Sequence, residues 1–165
     1  MFKNLSAGPI LKGLVAGMVL AAVTMFALSQ FGVMSASDDL PPVMVYQDPD
    51  CGCCGDWIVH LEENGFEVEA EFRNDMGNVK QQAGVPQQLG SCHTAIVGDY
   101  VIEGHVPADD IKALLHNAPE GIQGLTVPGM PVGSPGMERG DQLDPYDVLS
   151  FTSDGATRVV ASYGQ

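Results

Sequence analysis

Three of the four cysteines in this 165-residue chain lie in one four-residue window, Cys51-Gly52-Cys53-Cys54, and its flanks give that window a place in a fold. Before it, residues 42–47 (PVMVYQ) form a short apolar run rich in β-formers that leads through Asp48-Pro49-Asp50 into the cysteines, the pattern of a strand. After it, Trp57, Ile58 and Leu61 recur at helical spacing and Gly65 stands where a helix C-cap belongs, so a helix begins at or just inside the cysteines. Unpaired amides and the helix dipole stabilise anions at such an N-terminus, which predicts lowered thiol pKa values for Cys53 and Cys54. Sulfurs placed this way exchange disulfides, hold a metal or staple a small domain together. The rest of the chain has to discriminate among these roles.

Compartment is the first discriminator. Lys3 and Lys12 precede an apolar stretch over residues 13–28, and small and polar residues follow around Ser35-Ala36-Ser37. This is the layout of an export signal over residues 1–36, or of an N-terminal membrane anchor if the apolar run is read on to Met34 and left uncut. Both lysines precede the run, so the positive-inside tendency leaves residues 37–165 outside the cytoplasm, and a periplasmic location is expected. That remainder is about 130 residues, enough for one domain. It carries all the acidic residues and only five basic ones, Arg73, Lys80, Lys112, Arg139 and Arg158, in a chain of formal net charge −14. Such a surface argues against nucleic acid and anionic lipid as partners, and leaves membrane contact to the N-terminal segment alone.

Further along, residues 66–72 (FEVEAEF) alternate apolar and acidic side chains, a half-buried strand, and residues 74–83 read as a weaker helix ending at Gly84. Residues 94–97 and 100–103 flank Gly98-Asp99, a two-residue hairpin turn. Residues 107–117 form another helix, with Pro107 in its first turn and Ile111, Leu114 and Leu115 on one face. The resulting order, βαβαββα with a CxxC pair between the first strand and first helix, resembles the thioredoxin fold and sets the expected class as α/β. Residues 124–140 (GLTVPGMPVGSPGMERG) are dense in Gly, Pro and Met and read as an irregular loop; residues 145–163 read as a terminal hairpin turning at Asp154-Gly155.

The remaining donors bear on the chemistry. Cys92 stands in Ser91-Cys92-His93-Thr94, just before the third strand, where thioredoxin-like proteins normally have a cis-proline. A thiol and an imidazole there offer metal donors and weaken the case for dithiol exchange. The two-residue turn makes Val97 face Tyr100; continued, that register sets Cys92 opposite His105, with Cβ atoms about 5 Å apart. His93 adjoins Cys92 and is a further candidate ligand. His60 lies about 240° around the helix from Cys54 and about 10 Å along it from Cys53, a core or surface position rather than a ligand. His116, in the last turn of its helix, suits the dipole and is assigned no chemistry. Cysteines together with Met130 and Met137 in the irregular loop are soft donors that favour Cu(I), while zinc remains compatible with cysteine and histidine alone. Four thiolates around one Cu(I) would leave several negative charges uncompensated, whereas bridging thiolates in a cluster of several coppers spread that charge.

Four stretches, YQDPDCGCCGDWIVHLEENGFEVE, GVPQQLGSCHTAIVGDYVIEGHVPADDIKALL, GLTVPGMPVGSPGME and PYDVLSF, together resemble the CopG-like family of exported bacterial proteins associated with copper resistance, over residues 46–151. The resemblance implies a thioredoxin-like fold and a polynuclear copper site on Cys51, Cys53, Cys54 and Cys92. Three readings stand at this point. The first is a periplasmic copper-binding protein of copper resistance, holding several Cu(I) ions, with copper and other periplasmic copper-handling proteins as partners and no enzymatic role. The second is a copper or thiol-disulfide oxidoreductase working through Cys51 and Cys54. The third is a disulfide-stapled domain or mononuclear zinc site. No Ser-His-Asp set, phosphate loop or paired-carboxylate pattern supports hydrolysis.

Overall fold

The computed structural model describes residues 40–117 and 119–165; the leader expected over residues 1–36 lies outside the described residues. The chain is a mixed α/β fold. In order, it forms β1 (Val43–Gln47), α1 (Gly52–Glu63), β2 (Val68–Phe72), α2 (Met76–Gln82), a short 3-10 turn (Gln87–Leu89), β3 (His93–Val97), β4 (Tyr100–Glu103), α3 (Ala108–Asn117), β5 (Gly124–Thr126), β6 (Tyr146–Phe151) and β7 (Thr157–Tyr163). The βαβαββα order read from the sequence is the order observed through α3. Among the described residues no helix is long and apolar enough to cross a membrane.

The strands make one sheet in the order β2-β1-β3-β4-β5-β6-β7. β1 and β2 run parallel, as do β4 and β5, while the other neighbours are antiparallel. Period-two alternation sorts the buried residues onto two faces. Val43, Val45, Ala95, Val97, Ile102 and Leu125 join Trp57 and Leu61 of α1 and Ile111 and Leu114 of α3 in the larger core. Val101 and Phe151, from the intervening positions, pack with Val85 and Leu89 in a smaller one.

Two local expectations change. Residues 124–126 are not part of an irregular loop but a strand, and the glycine that suggested irregularity is what admits it. A Cβ on Gly124 would lie 1.8 Å from the Val101 carbonyl oxygen, so only a bare backbone can close that parallel pairing. The segment 66–72 is also less buried than its alternation suggests. Phe66 is buried ahead of the strand, Val68 is half-buried, and Glu69 through Phe72 are exposed. β2 has a neighbour on one side only, and its alternate acidic residues Glu69 and Glu71 keep that edge from pairing with other chains.

Candidate metal centre

The turn Asp48-Pro49-Asp50 positions the cysteine motif. The Asp48 side chain accepts the Asp50 amide at 2.9 Å and the Asp48 carbonyl accepts the Cys51 amide at 3.0 Å, so the chain leaves β1 and turns directly into α1 with Cys51 as its N-cap residue. Cys51 and Cys54 are joined in a disulfide, while Cys53 and Cys92 are free. Cys53 Sγ lies 3.6 Å from Cys51 Sγ and 3.9 Å from Cys92 Sγ. The dipole argument from the sequence therefore does not reach Cys54, which is buried and carries no thiol in this state.

Cys92 is the junction between two donor groups. One is Cys51, Cys53, Cys54 and Cys92; the other is Cys92, His93 and His105; within each, the donor atoms lie within 4.8 Å of one another. His93 Nδ1 is 3.2 Å and His105 Nε2 is 3.0 Å from Cys92 Sγ. The hairpin register expected from Gly98-Asp99 holds, with Val97 facing Tyr100 and Thr94 facing Glu103. The ladder stops there, and the Gly104 amide donating to the His93 carbonyl at 3.1 Å carries the alignment one step further and brings His105 to Cys92.

Burial sets the protonation of these groups. His93, packed against Trp57 with ring centroids 4.3 Å apart, is held well below its usual pKa by burial and then by its neighbours His105 and Lys80. Burial likewise lowers His105. Both rings are thus neutral at neutral pH, the form that ligates metals. His105 Nδ1 donates to the Pro135 carbonyl at 2.8 Å, which fixes the tautomer and leaves the Nε2 lone pair facing Cys92. The Cys92 thiol is pushed up to about 12, by burial first and then by neighbouring Cys53. A metal entering here must displace its proton.

The sequence reading overlooked what holds the Ser91–His93 corner. The Glu103 carboxylate, fully buried, accepts the Ser91 amide and the Lys80 ammonium, each at 2.6 Å, and the Thr94 hydroxyl at 2.7 Å. The available signal was parity: Val101 and Glu103 share a face of β4, and a carboxylate at a core-facing strand position has to find a cation. Loop 129–137 closes the other side. Ser91 Oγ donates to the Gly129 carbonyl, and Gly136, at φ 81°, comes so near α1 that a Cβ would lie 2.6 Å from the Trp57 amide nitrogen. Met130 and Met137 ride on this loop, Met130 exposed and Met137 half-buried. His60 is not brought to the cysteines; its Nε2 accepts the Ala108 amide at 3.1 Å.

Fold and donor set together define a class: an α/β protein with a clustered cysteine–imidazole centre competent to hold a soft metal ion. A family model described as a protein of unknown function, DUF411, matches residues 89–137. Two solved structures, forms 1 and 2 of copper resistance protein CopG, are 48% and 49% identical to this chain with TM-scores of 0.72 and 0.71. The matches cover 76% and 75% of this chain and 99% and 98% of theirs. No curated protein matches. The chain belongs to the CopG copper resistance family.

Proposed function

We propose that this protein is a periplasmic copper-binding protein of copper resistance, carrying Cu(I) as cargo in a thiolate-bridged cluster on a thioredoxin-like scaffold. The observation that carries the reading is the convergence of four sulfurs and two imidazole nitrogens in two groups sharing Cys92. Thiolates select Cu(I) over hard cations, and neutral imidazoles add donors without adding charge. Cys51, Cys53, Cys54, Cys92, His93 and His105 are the ligands in this reading, with Met130 and Met137 as soft donors on the covering loop. Copper resistance in the solved relatives and export implied by the N-terminal residues support the role and the location.

Full loading requires the Cys51–Cys54 disulfide to open, since a disulfide sulfur is a poor ligand; two electrons and two protons from a thiol reductant convert it to the dithiol. That same disulfide, with free Cys53 3.6 Å from Cys51, favours a second reading as a copper or thiol oxidoreductase.

The test is metal content by mass spectrometry together with a thiol count, on the chain exported in copper-supplemented medium. Several coppers per chain with the four cysteines reduced is the expected result. A copper-free chain whose thiols remain oxidised would overturn the cargo reading, and copper bound only transiently during thiol oxidation would favour the oxidoreductase.

A further inference from the structure

We propose that His60 is a positioning residue for the imidazole half of the centre and a proton-sensitive latch upon it, gripping the segment that carries His105 through the amide of Ala108. The proposal rests on the copper reading above for its consequence, and on geometry alone for its mechanism.

Helix α1 holds the segment after His105 at two points. Trp57 Nε1–H donates to the Val106 carbonyl at 2.9 Å, and one turn further along α1, His60 Nε2 accepts the Ala108 amide at 3.1 Å. Val106 and Ala108 are both buried. Ala108 opens α3; Pro107 precedes it, and the Pro107 carbonyl accepts the Asp110 and Ile111 amides. The Ala108 amide is therefore one of the orphan donors of a helix N-terminus, and no Ser, Thr, Asp or Asn stands at position 107 to supply a side-chain oxygen. A histidine from a different helix fills the acceptor role. In doing so it ties the helix that bears the cysteines to the strand-to-helix connection that bears His105.

Only the neutral ring can do this. Protonation of Nε2 removes the accepting lone pair and places a cation against the positive end of α3, where Asp109 and Asp110 otherwise suit the dipole. The charged groups facing His60 are Glu63 on its own helix, Asp109 and Lys112 on α3, and Glu138 immediately after the covering loop. The carboxylates favour the imidazolium, but burial outweighs them and holds His60 below its usual value of 6.5. The folded-state value is depressed, so the latch is closed above pH 6.5 and opens as pH falls through the lowered value. Proton entry at His60 thus loosens the His105 side of the centre without touching a ligand.

The test compares the full chain with His60→Gln, whose amide oxygen can accept without titrating, and His60→Leu, which cannot accept. In the metal-free protein, exchange protection of the Ala108 amide should fall about tenfold beyond the intrinsic pH effect as wild type is taken from about pH 7.5 down through the lowered His60 value, stay flat in His60→Gln, and be low throughout in His60→Leu. Beyond the ring's own titration, the His105 resonances should show the same differences among the three proteins. Competition for Cu(I) alone against a chelator should then show wild type losing about tenfold more affinity over that range than His60→Gln. An Ala108 amide and a His105 ring that behave alike in wild type and His60→Gln would overturn the latch. Matching Cu(I) profiles despite a titrating amide would overturn its coupling to the centre. Failure of every variant to bind Cu(I) would sink the copper reading, while the amide and ring signals would still decide the latch.

Discussion

On the imidazole side of the centre, His93 and His105 are buried, neutral and oriented, one tilted against the Trp57 ring and the other held by Pro135; on the thiol side, Cys51 and Cys53 are half-exposed at a helix end, and Cys51 is closed onto Cys54. The first half is built before any ligand arrives. In the second, Cys53 is already a free thiol, while Cys51 and Cys54 offer thiolates only once their disulfide opens. Preorganised donors lower the reorganisation a cation must drive, and a disulfide among the donors makes the number of available sulfurs depend on redox poise. The comparison suggests that geometry is stored in the β3–β4–α3 connection and capacity in the α1 motif.

Cys92 belongs to both halves, so removing it should have the largest effect. Cys92→Ser is expected to lower Cu(I) affinity at least a hundredfold, because it takes a donor rather than a supporting group. Competition against a chelator checks this. If Cys53→Ser costs as much while Cys92→Ser costs little, the imidazole half is not where copper is anchored.

Next comes the support beneath Cys92. Glu103→Leu leaves Lys80 and the Ser91 amide without their acceptor, and Lys80, at 19% side-chain exposure, can recover only part of its hydration. A loss of about 2 kcal/mol in urea unfolding is expected, below the roughly 3–5 kcal/mol for breaking a fully buried pair because one partner reaches water. The weakening of copper binding should exceed what the same loss of stability produces when placed in β7, far along the sheet.

How much of this could be read beforehand divides along the same line. The thiol half was legible because local pattern determines it: strand residues, Asp-Pro-Asp, cysteines and helical periodicity are contiguous. His105 was legible at one remove, through the register that Gly98-Asp99 imposes. The disulfide was not, since spacing alone leaves Cys51, Cys53, Cys54 and Cys92 with competing partners. Nor were the Glu103–Lys80 pair and the His60 cap, which join residues 23 and 48 positions apart through tertiary packing. Gly124 misled for a related reason: a glycine in a Gly/Pro-rich run signals irregularity locally, while here it answers a steric demand from Val101.

The covering loop lies between the two halves, and Gly136 sets its approach. Gly136→Ala puts a methyl 2.6 Å from the Trp57 amide nitrogen at a φ of 81°, where L-residues are strained. The loop should lift from α1, costing about 1.5 kcal/mol of stability and freeing His105 Nδ1 from Pro135. A change in the His105 ring nitrogen shifts of the metal-free protein would register it. An unmoved ring would mean that Pro135 merely accompanies an orientation set elsewhere.

The smallest expected effect tests whether α1 transmits anything to the imidazole half. Trp57→Phe keeps most of the aromatic surface against His93 but deletes the indole N–H that meets the Val106 carbonyl at 2.9 Å, leaving a buried acceptor unpaired. That omission should cost about 1 kcal/mol beyond the loss of ring volume. Because Val106 adjoins His105, the change should broaden or shift the His105 ring signals while leaving the thiol count and the Cys51–Cys54 disulfide as they are. Equal disturbance of both halves would mean that Trp57 acts through the general packing of α1, and the division between a stored geometry and a switchable capacity would fail at the helix that connects them.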